Sequence, residues 1–202
     1  RGKHDNNNLV FETSAGLIHV EGSWLGDQIK ISMTQPAPRF GLKIDNKILS
    51  TIGGIPEDSI LCEPQVVSTG LPFPIVVFDS LETLKKVKID FLALDKLLST
   101  ISENILMEPF WVCLTPPREN GLTFSRLLLQ SSGRSEDPFT GSATGAMAAY
   151  LWKYKLIQTP TFNAHQGDFL GRPGEAEVEV LSSSGNITGV KVTGSAYVLM
   201  TG

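Results

Sequence analysis

Residues 135–149 read Ser-Glu-Asp-Pro-Phe-Thr-Gly-Ser-Ala-Thr-Gly-Ala-Met-Ala-Ala. A pair of carboxylates, Glu136 and Asp137, precedes a proline turn, and small residues from Gly141 onward lead into a predicted helix over 143–157. Polar side chains lie mainly toward the end of that segment, so its first turns should be enclosed on most sides. The stretch therefore predicts a buried central helix that begins at a glycine-rich turn.

The start of this helix is suited to holding an anion. Free backbone N–H groups and the positive end of the helix dipole favour a negative ligand, such as a carboxylate, at that point. Gly141 allows close approach, Ser142 adds a hydroxyl, and Asp137 lies within reach as a general acid or base. Asp and Ser before a helix are also ordinary caps, so a structural role for both remains open from the residues alone.

Outside this stretch, short alternating or β-branched segments predict strands, and apolar residues at helical spacing predict helices. The predicted strands cover 17–21, 28–33, 75–78, 110–115, 122–130, 177–181, 189–192 and 196–200. The predicted helices cover 43–52, 80–87 and 90–101, besides the buried one. The first strands should form a meander, and glycine turns should separate the last three. Short strands around one buried helix indicate an α+β fold.

Composition excludes several classes of partner. A formal net charge of -4, without a cluster of Lys or Arg interleaved with aromatics, argues against nucleic acid. The most apolar stretches are shorter than the roughly 20 residues of a spanning helix, so we expect no membrane role. Cys62 and Cys113 lack metal-site or CxxC spacing, which favours two lone reduced thiols and a cytoplasmic location.

The residues resemble a known family. Glu136 through Ala143 match the EDPxTGSA signature of PhzF-like (phenazine-biosynthesis-like) proteins. Further segments are similar to that family in the same order, so the resemblance covers nearly the whole chain. These segments are Phe11-Glu12-Thr13-Ser14-Ala15-Gly16, Ser68-Thr69-Gly70, Gln166-Gly167 with Arg172-Pro173-Gly174, and Val192-Thr193-Gly194.

The resemblance implies a diaminopimelate-epimerase-like fold. In such a fold, two related domains each wrap a curled, mostly antiparallel sheet around a central helix, and the active site lies between them. We expect residues 1–38 to be a remnant of the first domain and 39–202 to form the second domain in full, with the last strand packing back on the first. The resemblance also implies a homodimer.

By motif match, Asp137 corresponds to the family's active-site aspartate, while Gly141 and Ser142 correspond to groups that hold the substrate. The implied activity is an isomerisation by acid–base proton transfer on a small carboxylate-bearing metabolite, without metal, flavin, nucleotide or other cofactor. The family's catalytic glutamate and Gly-His motif should precede Phe11 and have no counterpart here. We therefore expect this chain alone to be inactive and the full-length form to be an isomerase.

Other functions remain to be weighed. A protein that kept the fold but only binds a small molecule or a partner, without turnover, is the main alternative. A racemase that uses Cys62 and Cys113 is disfavoured because neither lies in the glycine-rich motif. A serine hydrolase is disfavoured because the sequence around Ser142 is not GxSxG. His165 and Gln166, at the end of a strand, are expected to be structural.

Overall fold

The computed structural model describes residues 8–14, 16–25, 28–101, 107–130 and 135–196. Its helices are α1 (Asn46–Gly53), α2 (Leu81–Lys86), α3 (Phe91–Thr100) and α4 (Gly141–Lys153). Its strands are β1 (Asn8–Thr13), β2 (Gly16–Leu25), β3 (Gln28–Gln35), β4 (Arg39–Lys43), β5 (Gln65–Ser68), β6 (Pro72–Phe78), β7 (Phe110–Cys113), β8 (Thr123–Leu128), β9 (Glu136–Asp137), β10 (Thr161–Gln166), β11 (Gly174–Ser183) and β12 (Asn186–Ala196). The mixture of one sheet and separate helices is α+β, as the sequence predicts.

The described strands form one mixed sheet. Its order is β1-β2-β3-β12-β11-β10-β8-β7-β6-β5-β4, and β9 pairs with the last two residues of β8, Leu127 and Leu128. The pairs β6–β7 and β8–β10 are parallel, and the other neighbours in the order are antiparallel. The predicted opening meander is present as β1, β2 and β3.

Helix α4 lies inside a curl of this sheet. It contacts β5 and β6 with one side and β11 and β12 with another, although several strands separate these pairs in the sheet order. Every residue from Ala143 to Leu151 is buried, and apolar side chains of the surrounding strands pack on them. The low amphipathicity of the 143–151 sequence follows from this position, because no side of the helix faces water.

Strands β6 and β7 are buried on both faces, which explains their nearly continuous apolar sequence. Ile75 and Phe110 point toward α4, whereas their neighbours Val76 and Trp111 point to the opposite face. That opposite face is covered by apolar residues from α1, α2 and α3, among them Leu49 of α1 and Leu94 of α3. The sheet at this point is therefore sandwiched between α4 and the three shorter helices.

Side-chain caps fix the start of each shorter helix. Asp45 accepts from the backbone N–H of Lys47, Ser80 from that of Thr83, and Asp90 from those of Leu92 and Ala93. The predicted helices over 80–87 and 90–101 are present as α2 and α3, and each cap is worth about 1 kcal/mol. None of the described helices has both the length and the apolar character needed to cross a membrane.

The structure differs from the sequence prediction in several segments, and strands β4 and β5 have no predicted counterpart. The predicted strands over 189–192 and 196–200 are not separated by a turn, because β12 runs without interruption through Gly194, which pairs with Ile31 of β3. Residues 197–200 of the predicted last strand lie outside the described residues. Helix α4 ends at Lys153 rather than at Ile157, since Lys155 takes a left-handed backbone conformation (φ 56°).

One face of the opening meander is apolar and continues the core. Leu9, Val20, Met33 and Val192 lie opposite one another across four strands and so share one face of the sheet, and Val192 packs in the α4 core. We call the apolar side chains of this face the inner face of β1–β3. They are Leu9, Phe11, Ile18, Val20, Trp24, Ile29, Ile31 and Met33. Several remain open to solvent, with Trp24 64% exposed.

We expect the 202-residue chain to self-associate through the inner face of β1–β3. Phe11→Asp, which places a charge on that face, should shift the chain toward monomer in sedimentation velocity, because a buried carboxylate is costly. Val10→Asp is the matched control, since Val10 is similarly exposed (55% against 51%) but points to the other face. Equal effects of the two substitutions would contradict this assignment.

Candidate functional site

The two carboxylates before α4 have different environments. Glu136 forms a nearly buried, two-pronged ion pair with Arg126: Nε to Oε1 is 3.1 Å and Nη2 to Oε2 is 2.8 Å. The same guanidinium donates to the backbone carbonyls of Leu84 and Val87 at the end of α2. Glu136 therefore holds β9 against β8 and α2, and its charge is neutralised by Arg126.

Asp137 points instead toward the start of α4. Its Oδ2 accepts a 2.6 Å hydrogen bond from the hydroxyl of Thr140. That hydroxyl in turn accepts from the side-chain amide of Gln166, with Nε2 to Oγ1 at 3.1 Å. The carboxylate is half-buried and belongs to a short chain of hydrogen bonds that restricts its orientation.

Gln166 organises the whole turn from 137 to 140. Its Nε2 also donates to the backbone carbonyl of Asp137 at 2.8 Å, and its Oε1 accepts from the backbone N–H of Thr140 at 3.0 Å. The side chain is fully buried at the end of β10. A buried amide that satisfies both ends of one turn fixes its geometry, because breaking either contact would leave a buried polar group unpaired.

Helix α4 begins differently from the other three described helices. Its N-cap residue, Thr140, makes no side-chain hydrogen bond to the first turn, since its hydroxyl is directed to Asp137. Among the described residues, neither Asp137 nor Ser142 accepts a side-chain hydrogen bond from an N–H group of the first turn, so neither caps the helix. A Cβ added at Gly141 would meet no heavy atom within 4 Å, so there is open space on the side of the first turn where a side chain of residue 141 would stand. An anion placed there would meet the positive end of the helix dipole.

A second buried glutamine holds the same helix from the other side. Gln35, at the end of β3, donates to the carbonyl of Gly141 at 2.9 Å and accepts from the hydroxyl of Thr69. Its side chain passes directly over Gly145, where an added Cβ would overlap the amide oxygen. The first turn of α4 is thus tied to β3 through Gln35, and Gly145 provides the space for that contact.

The loop after β10 packs against the same turn. Gly167 has a positive φ of 87°, and an added Cβ would lie 2.5 Å from the carbonyl of Pro138. Arg118 holds the far side of this loop by an ion pair with Asp168 (3.0 Å) and a hydrogen bond to the carbonyl of Gly174 (2.9 Å). Only glycine at 167 permits both the backbone conformation and the close approach.

The other candidate residues are not part of this cluster. His165 is fully buried, and neither ring nitrogen has a hydrogen-bond partner among the described residues. Burial, together with the nearby Arg118 cation, lowers the pKa of His165, so the ring is held neutral. Cys113 is buried in β7, and burial raises the pKa of its thiol, which disfavours the reactive thiolate. Within the described ranges, no group of three His, Cys, Asp or Glu side chains is placed to hold a metal ion.

The structure brings together Asp137, Gly141 and Ser142 at the start of α4, and it adds residues that the sequence analysis did not assign to the site. Thr140 lies inside the EDPxTGSA signature, but no other feature of the sequence points to a role for its side chain. The contacts of Gln166 agree with the prediction that it is structural, and they hold both the backbone of Asp137 and the hydroxyl that binds its carboxylate. Gln35, which lies beside Pro36 at the end of a strand, has no local pattern that points to α4.

Comparisons of the sequence and of the structure with known proteins all find relatives of one family. The family model described as phenazine biosynthesis-like protein matches residues 1–202. An uncharacterized isomerase of Clostridium acetobutylicum is 33% identical over 95% of this chain and 65% of its own length. An uncharacterized isomerase of Bacillus subtilis is 30% identical over 92% of this chain and 63% of its own length. The chain thus spans slightly less than two thirds of the length of these relatives.

Solved structures have the same fold. A phenazine biosynthesis protein of the PhzF family from Bacillus anthracis superposes with a TM-score of 0.77 at 22% identity, covering 96% of this chain and 68% of that one. A predicted epimerase from Pseudomonas aeruginosa superposes with a TM-score of 0.73 at 26% identity, covering all of this chain and 70% of that one.

Gly145→Ala should destabilise the chain by about 1–3 kcal/mol, because the new methyl displaces the Gln35 amide from a packed position. The free energy of unfolding in urea measures the effect. Gly194→Ala is the control, because a Cβ at Gly194 meets nothing within 4 Å. A control variant should change stability by no more than about 0.5 kcal/mol. Comparable losses in both variants would show that Gln35 does not constrain Gly145.

Proposed function

Because the chain belongs to the phenazine biosynthesis-like protein family, we propose that it carries the substrate-anchoring part of an isomerase active site. The reaction is a proton transfer by acid–base catalysis on a small carboxylate-bearing metabolite, without a cofactor. One observation supports this proposal above the others. Helix α4 starts without a side-chain cap, a Cβ at Gly141 would meet no heavy atom within 4 Å, and Thr140, the N-cap residue of that helix, holds the Asp137 carboxylate by a hydrogen bond.

The substrate carboxylate is anchored at the first turn of α4. Backbone N–H groups of this turn and the hydroxyl of Ser142 donate to it, and the absence of a side chain at Gly141 allows close approach. The turn is already held by Gln166 and Gln35 before any ligand arrives. Anchoring therefore requires little reordering of the protein, which favours both affinity and correct orientation.

Asp137 acts on the anchored substrate. Its Oδ2 is engaged by Thr140, and among the described residues no hydrogen bond is made to Oδ1, which is the oxygen available to a ligand. In an isomerisation, one carboxyl group removes a proton from carbon and a proton returns at another carbon, so the substrate keeps its composition. Asp137 serves as one such acid–base group or orients the substrate by a hydrogen bond. By the resemblance to the family, a glutamate of the first domain would be the second acid–base group.

We further propose the domain division at residue 38. Residues 39–202 form the second epimerase-like domain, and 1–38 belong to the first. The inner face of β1–β3 supports this division, because its apolar side chains need a cover that the longer relatives have the additional length to provide. Together the two domains would enclose the start of α4 and exclude water from it.

Ser142→Ala should weaken the binding of acetate to the chain by about 0.5–1.5 kcal/mol, the scale of one neutral hydrogen bond. Titration followed by NMR gives the dissociation constant, which should rise by a factor of about 2–10. Ser23→Ala, at an exposed position in β2, is the control and should leave binding unchanged. Equal affinity of the Ser142 variant and the unmodified chain would remove Ser142 from the binding site.

In a protein that contains both domains, Asp137→Asn should abolish catalysis while preserving ligand binding. The amide retains the size of the side chain and a hydrogen-bonding group for Thr140, and acetate should bind as well or more tightly, because a negative charge beside it is gone. Mass spectrometry of a panel of small carboxylates incubated in D2O measures exchange. A carboxylate that gains deuterium with the unmodified protein should gain none with the variant. Unchanged exchange would contradict the catalytic role, whereas a protein that binds acetate but never promotes exchange would favour the non-catalytic alternative.

A further inference from the structure

A cavity of about 750 Å³ lies at the opposite end of α4 from Asp137. It is formed between the end of the helix, the segment that leads into β4, and the turn between β11 and β12. Phe40, Trp152, Lys153, Lys155, Asn186 and Ile187 are among the residues that line it. A 13-residue helix is about 20 Å long, so this cavity is separate from the candidate isomerase site.

The lining combines flat apolar surfaces with positive charge. Phe40 and Trp152 provide aromatic surface and Ile187 aliphatic surface, while Lys153 and Lys155 are the only charged residues among the described ones that line the cavity. This is notable in a chain with a net charge of -4, where acidic residues outnumber basic ones. The volume lies within the range of about 300–1,000 Å³ that is usual for small-molecule sites.

Lys153 is held at the cavity wall in a partly desolvated position. Its ammonium lies 3.8 Å from the centre of the Phe40 ring and 3.4 Å from Oε1 of Gln65. Desolvation, with repulsion from Lys43 as a smaller cause, lowers the pKa of Lys153. Lys43 is itself paired with Glu63 at 2.6 Å. Among the described residues Lys153 makes no ion pair and no carboxylate lines the cavity, so an anion there would give this ammonium an anionic partner.

Lys155 occupies a position that normally takes glycine. It follows the last turn of α4 with φ 56°, a left-handed conformation that glycine adopts without strain and that costs other residues of order 1 kcal/mol. Backbone geometry therefore does not favour a lysine here, and its side chain adds a second positive charge at the cavity. The favourable effect of cations at a helix end is available at any exposed position in the last turn, so it does not by itself account for two lysines at one cavity.

We propose that this cavity binds a planar aromatic anion, which stacks against Trp152 and pairs its negative group with Lys153 and Lys155. Such a ligand matches both features of the lining, since the Trp152 ring accepts a flat apolar body and the ammonium groups require a negative partner. The proposal does not depend on the isomerase activity, because the cavity lies at the other end of α4.

Calorimetric titration of the chain with naphthalene-2-sulfonate tests the proposal, with neutral naphthalene-2-sulfonamide as the matched probe. We expect saturable binding of the sulfonate and at least tenfold weaker binding of the sulfonamide. The substitutions are Lys153→Met, which keeps most of the aliphatic stem, and Lys155→Asn, which tolerates the left-handed backbone. Each should weaken sulfonate binding severalfold, whereas Lys47→Met, at an exposed position in α1, should not.

Ser142→Ala changes the candidate site at the other end of α4 and should leave sulfonate binding unchanged, which distinguishes the two sites. Equal affinity for sulfonate and sulfonamide would overturn the proposal, because charge would then play no part. Sulfonate binding that is unaffected by both lysine substitutions, while the variants lose stability in urea, would assign the lysines to the helix end alone. Absence of saturable binding would also overturn it.

Discussion

The fully buried amide of Gln166 is the contact on which the candidate site depends. It bonds to both ends of the turn between β9 and α4, and it supports the hydroxyl that holds Asp137. Because Thr140 is used in this way, it does not cap α4, and the first N–H groups of the helix stay available. One side chain thus couples the position of a carboxylate to the opening of an anion site.

The curl of the sheet makes this arrangement possible. Helix α4 is buried against strands on several sides, so its ends are the parts that can meet a ligand. At the first end, Gln35 reaches from β3 and Gln166 from β10, and both are satisfied by α4 or the turn before it. Burying either amide without a hydrogen-bond partner would cost free energy. The two amides therefore favour the position of the helix start in which both are paired.

Local patterns in the sequence predicted most individual elements but not their assembly. Ser80 and Asp90 mark helix starts because capping depends on neighbouring residues. The continuity of β12 through Gly194 was missed, since glycine is a turn signal locally and only pairing with β3 keeps it in a strand. Asp137, Gly141 and Ser142 were indicated by the small residues at the helix start, and the resemblance gave them roles. The hydrogen bond of Gln35 to Gly141 joins residues 106 positions apart and has no local signature.

The most direct test of this account is where a simple carboxylate binds. A ¹H–¹⁵N spectrum of the chain, recorded while acetate replaces chloride at constant ionic strength, reports the first amides of α4 and, for comparison, those of α3, which Asp90 caps. The account predicts saturable shifts of the Gly141, Ser142 and Ala143 amides and none at Leu92 and Ala93. Shifts of equal size at both helices, or none at α4, would contradict it.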